Sequence, residues 1–136
     1  MELKYDGKKY LKINGQVYNI NDIYAFDVEN SGKEIGLRLI KRDEEVLIES
    51  FENIDDSVII KSVNEQLKKL GLENFVLIDF VIINMDNIMD VSYGKGFIMV
   101  QFMNKFYTKS ISKDSQKNFL KNYDKYLEEK SSIISK

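Results

Sequence analysis

The sequence predicts a mixed α+β chain: two successive antiparallel strand-rich units of about four strands each, each followed by one amphipathic helix. Three observations lead there. Asn-Gly and Asp-Gly pairs punctuate short apolar stretches, two segments carry helical three-and-four spacing of apolar residues, and the order of elements recurs in the second half. Residues 1–130 are expected to form a single compact domain, made of subunits 1–71 and 72–130, with 131–136 as a patternless, frayed tail.

Asp6-Gly7 and Asn14-Gly15 are hairpin signals, because a two-residue type I′ turn needs positive φ at both central positions. They separate strands expected over Leu3–Tyr5, Tyr10–Ile13 and Val17–Ile20. The next strand is Ile23–Val28, where alternation points Tyr24, Phe26 and Val28 one way and Ala25, Asp27 and Glu29 the other. After the turn Asn30-Ser31-Gly32-Lys33 come strands Ile35–Ile40 and Val46–Ile48, separated by Arg42-Asp43-Glu44. Asp55 or Asp56 then caps a helix whose apolar face is Ile60, Val63, Leu67 and Leu70. Lys68 and Lys69 suit its negative end, and Gly71 suits the residue just past it.

The second half reads as a strand Phe75–Ile83, then strands Ile88–Tyr93, Phe97–Met103 and Phe106–Ile111, with turns at Gly94-Lys95-Gly96 and Asn104-Lys105. Ser112 caps a second helix, Lys113–Lys130, with Phe119, Leu120, Tyr123, Tyr126 and Leu127 on its apolar side. Tyr18-Asn19-Ile20-Asn21-Asp22-Ile23 can be laid over Ile83-Asn84-Met85-Asp86-Asn87-Ile88, each followed by a strand, a Gly turn, two strands and a helix. That suggests internal duplication, the alternative being coincidence in a chain rich in Ile and Asn. Phe97–Met103 and much of Phe75–Ile83 are apolar at successive positions, the pattern of strands covered on both faces. The cover is expected to be the first half of the chain or a second copy in a homodimer.

Composition narrows function mainly by exclusion. The 136 residues include no Cys and no His, so thiolate nucleophiles, disulfides and the commonest general base are missing. No catalytic site, cofactor or metal is expected. Asn84, Asp86 and Asp90 offer oxygens at alternate positions, but a calcium loop would also need Gly sixth and Glu twelfth, where Met89 and Lys95 stand. The net charge of −2, with Arg38 and Arg42 the only arginines, does not favour general nucleic-acid binding, although a composition rich in Ile, Asn, Lys and Tyr also fits an AT-rich genome. The start lacks the order of a secretory signal, and no apolar run approaches the roughly 20 residues of a membrane helix. The expected location is cytoplasmic.

Two surface features could recognise a partner. Lys105, Lys109, Lys113, Lys117, Lys121 and Lys125 recur every fourth residue, and on a helix such a stripe drifts only about 40° per step. It is either a contact surface for a partner or nucleic acid, or the ordinary wet face of an amphipathic helix, diluted by Asp124 and Glu128. Phe97, Met99, Phe102 and Met103 form a candidate interface. The inferred order of elements resembles the tandem four-strand-plus-helix arrangement of PUR-type nucleic-acid-binding proteins and of the Whirly single-strand binders. That resemblance lies in order alone, so no binding residue carries over. The leading expectation is a non-catalytic protein-interaction module of inhibitor, immunity or adaptor type, encoded by a phage or mobile element and acting on a partner protein. Single-stranded nucleic-acid binding is the alternative.

Overall fold

The computed structural model describes residues 1–134, among which are eleven strands and two helices in three antiparallel sheets. Strands β1 (Leu3–Tyr5), β2 (Tyr10–Ile13) and β3 (Gln16–Asn19) form the first sheet. A 3-10 turn at Ile20–Asp22 leads into β4 (Ile23–Asn30), β5 (Ile35–Lys41), β6 (Glu45–Phe51) and helix α1 (Asp56–Lys69). The hairpin β7 (Phe75–Ile78) and β8 (Val81–Asn84) follows, then a second 3-10 turn, Met85–Asn87. Strands β9 (Asp90–Gly94), β10 (Phe97–Gln101) and β11 (Phe106–Ser110) make another sheet, and α2 (Lys113–Ile134) completes the order. The two segments thus hold six and five strands rather than about four each.

Local chemistry explains the turns. Asn14 and Gly15 both have positive φ, as a type I′ hairpin requires. The Asp6 loop is organised differently: its carboxylate accepts from the N–H groups of Lys9, Lys8 and Tyr10, which holds its pKa below the usual range. Asp55 caps α1 by accepting from Ser57 N–H. At the far end Gly71, at φ +79°, closes a Schellman motif, with Leu72 N–H donating to Leu67 and Gly71 N–H to Lys68. Ser112 accepts from Ser115 N–H at the start of α2.

The central sheet runs β6-β5-β4-β8-β7, because β8 pairs antiparallel with β4. Three of its strands therefore come from residues 1–71 and two from the later segment. One face packs with β1–β3 and α1 around Leu11, Phe26, Leu37, Leu39, Ile60 and Leu67. The other packs with β9–β11 and α2 around Tyr24, Ile83, Ile98, Val100, Phe102 and Phe119. Two neighbouring strands are covered on both faces: β4, buried at every position from Ile23 to Val28, and β8, buried from Val81 to Asn84 as the apolar run Phe75–Ile83 leads one to expect. No helix among the described residues is long and apolar enough to cross a membrane.

Four sequence expectations need correction. Phe75–Ile83 is a hairpin rather than one strand, reversing at Asp79-Phe80 with Asp79 at φ +48°. Tyr24 does not share a face with Phe26: a bulge between Ile23 and Ala25 turns it to the other core, beside Ala25. Strand β10 alternates, with Ile98 and Val100 inside and Phe97 and Met99 turned outward. Lastly, α2 continues through Ser131 to Ile134, with no Gly or Pro to stop it, and 135–136 lie outside the described residues.

Candidate interaction surface

The sheet β9–β11 covers one core with one face and turns the other to solvent. Pairing sets the outward rows: Phe97 lies between Gly94 and Ser110, Met99 between Ser92 and Thr108, and Gln101 between Asp90 and Phe106. Only Asp90 among these nine positions is charged. Phe106 is 64% exposed and Phe97 38%, and Met103, beyond the end of β10, is 67% exposed. Phe102 belongs to the core instead, its ring stacked on Tyr24 with centroids 4.3 Å apart. Of the four apolar candidates, Phe97, Met99 and Met103 therefore stand outward and Phe102 does not. Phe106 joins them, and alternation from the buried Tyr107 could have flagged it in the sequence.

Phe97 is held in place by a steric glycine. A Cβ at Gly94 would collide with the edge atoms of the Phe97 ring, so the ring takes the space a side chain would fill. Gly94→Ala should displace the ring and cost about 1 kcal/mol, since the ring is partly free to move outward. Chemical denaturation measures the cost. An unaltered midpoint would mean that Phe97 does not depend on this seat.

Beneath the sheet lies a polar cluster that motif reading missed. Asp27 on β4 is completely buried and takes a bidentate contact from Arg38 on β5, at 2.8 and 2.7 Å. Tyr107 Oη donates to Asp27 Oδ2 at 2.5 Å, and Lys109 Nζ lies 3.7 Å from the same oxygen. Burial, then the Asp27 charge, pushes the Tyr107 hydroxyl far above its ordinary pKa. Hydrogen bonds donated to Asp27 hold the Arg38 guanidinium above its already high range. The signal in the sequence was an Asp inside the apolar run Tyr24–Val28 and an Arg inside Ile35–Ile40.

The lysine stripe divides. Lys105 Nζ donates to the Lys41 carbonyl at 2.6 Å and lies 5.8 Å over the Tyr24 ring. Lys109 faces Asp27. These two are drawn into the protein, while Lys113, Lys117, Lys121 and Lys125 remain exposed on α2 among Asp114, Asp124 and Glu128. The oxygens of Asn84 and Asp86 have protein partners: Asn84 accepts from Asn74, and Asp86 accepts from Tyr126 with Lys130 3.7 Å away. Comparison of the chain with protein-family models, with curated proteins and with solved structures found no match, so a functional reading rests on this geometry.

Proposed function

We propose that this chain is a non-catalytic protein-interaction module, of inhibitor, immunity or adaptor type, that binds a partner protein through the outer face of β9–β11. The observation that carries the reading is the solvent-facing cluster of Phe97, Met99, Met103 and Phe106 on a face with one charged position. Large apolar side chains gathered on one side of a soluble domain are characteristic of surfaces that dock. A cytoplasmic setting suits a chain without Cys, and phage or mobile-element origin suits its size and composition. The absence of His and Cys, together with a carboxylate closed off by Arg38 and Tyr107, supports a role without catalysis.

We also read the chain as an internal duplication forming one folding unit over 1–130. Both Asn-led motifs lie on 3-10 turns, with Asn19 and Asn84 accepting from the N–H two residues on. A hairpin precedes each turn, and a three-strand meander and a helix follow it.

The test is affinity capture from a host lysate with the intact chain and with F97S/M103S/F106S. The intact chain should retain a specific protein that the variant loses, while the variant keeps its circular dichroism spectrum and loses about 2 kcal/mol of stability or less. A dimer that dissociates in the variant would identify the partner as a second copy. Equal capture by both chains, or salt-sensitive oligonucleotide binding without protein capture, would overturn the proposal in favour of another surface or of nucleic acid.

A further inference from the structure

Two strand edges face each other elsewhere on the molecule. β3 is an edge of the first sheet and β6 an edge of the central sheet, and the two strands do not pair with each other. An open cleft of about 770 Å³ separates them, walled by Val17 and Tyr18 on one side and Val46, Leu47 and Ile48 on the other. Val17 and Leu47 are 59% and 60% exposed. The walls are pinned at both ends: Asn14 Nδ2 donates to Glu49 Oε1 at 3.2 Å, and Lys41 Nζ sits 5.2 Å over the Tyr18 ring.

From this arrangement, which is independent of the β9–β11 face, we infer that the cleft accepts an extended, basic peptide segment of a partner protein as an added strand on β6. An open edge offers backbone N–H and C=O groups to such a guest, and a flanking apolar wall takes its alternate side chains. The bulge between Leu37 and Arg38 leaves Ile48 without a partner on β5, so pairing runs along Glu45–Leu47. The charge of the guest follows from the rim. Glu44 and Glu45 line the cleft, Glu49 closes one end through Asn14, and Asp43 stands beside Lys41. Lys41 pairs with Asp43 and Glu44 at 3.6 and 3.5 Å and Arg38 with Glu45 at 3.2 Å, so acids outnumber bases on this side. Strand β3 adds no charge. A second copy is a poor occupant, because antiparallel pairing of two β6 edges centred on Leu47 would set Glu45 of each copy against Glu49 of the other.

The probe is a labelled Lys-Val-Lys-Val-Lys-Val-Lys peptide read by fluorescence anisotropy, with Glu-Val-Glu-Val-Glu-Val-Glu as the charge control. The basic peptide should bind, weaken with salt and bind at least tenfold more tightly than the acidic one. V17K and L47K, both at exposed positions, should each weaken it about tenfold while the circular dichroism spectrum is kept. N-methylation of alternate peptide residues along one edge should abolish binding, which mere charge attraction would survive. Hydrogen exchange should slow at Glu45–Leu47 in the complex. No binding at millimolar peptide, or binding indifferent to V17K, L47K and N-methylation, would overturn the inference.

Discussion

Asp27→Ala should cost about 3–5 kcal/mol of folding stability, the usual penalty for removing one partner of a buried ion pair. Asp27 is fully buried in the strand at the middle of the central sheet, and it is the anion shared by Arg38, Tyr107 and Lys109. Without it, the Arg38 guanidinium keeps Glu29 and Glu45 at 3.4 and 3.2 Å, but these are exposed acids on the outer side. Tyr107 Oη and the inner N–H groups of Arg38 lose their acceptor. The double variant Asp27→Leu/Arg38→Met removes both charges together and should lie closer to wild type than Asp27→Ala does. Urea denaturation of the three proteins decides it. A loss below about 1 kcal/mol for Asp27→Ala would mean that water or Glu45 replaces the carboxylate.

The same cluster shapes alkaline behaviour. Tyr107 has a raised pKa in the folded state, so its stabilising contribution is complete below the unfolded tyrosine value of about 10 and declines above it, as the unfolded chain loses a proton that the native chain keeps. Tyr126 is shifted in the same direction, by burial first and then by its bond to Asp86. Tyr107→Phe should therefore flatten part of the fall in stability above pH 10 rather than all of it. A fall as steep as in the intact chain would place the tyrosine effect elsewhere.

What could be read from the sequence was the chemistry of chain reversal and the period of α1. Asn14-Gly15, Asp55 and Gly71 each have a backbone need that few residues meet, and a single position carries the signal. Burial on two faces erased the rest. In Phe75–Ile83 every side chain but Asp79 is apolar, so alternation could not mark the reversal, and the turn uses Asp79 in the left-handed region instead of Gly. In Phe97–Met103 apolar residues occupy both faces, and only the tertiary stack on Tyr24, just past the end of β10, takes Phe102 into the core and leaves Met103 out of it. The bulge at Tyr24 shows no residue-type signal, yet it lets that ring stack on Phe102 while its hydroxyl donates to Asn104 at 2.8 Å. Pairing across sheets, which brings Asp27 to Tyr107, is a property of the fold and leaves no local periodicity.

Asn84→Ala should cost about 2–4 kcal/mol, against about 1 kcal/mol or less for Asn19→Ala, although the two residues hold equivalent places in the two motifs. Each side chain accepts from the N–H two residues on, at 3.0 Å for Asn19 and 3.1 Å for Asn84. There the likeness ends. Asn84 is buried, and it also accepts from Asn74 Nδ2 at 2.8 Å and donates to the Ile23 carbonyl at 2.9 Å. Asn87 reinforces that join by donating to the carbonyls of Asn21 and Ile23, so the second 3-10 turn is bonded onto the first. Asn84→Ala leaves the half-buried Asn74 amide without its acceptor, leaves the buried Ile23 carbonyl with Asn87 alone and opens a void in a closed site, whereas the groups around Asn19 can turn to water. The two midpoints in chemical denaturation give the comparison directly. Equal costs would show that the turns contribute only as local caps, and that the join between the two segments depends on strand pairing alone.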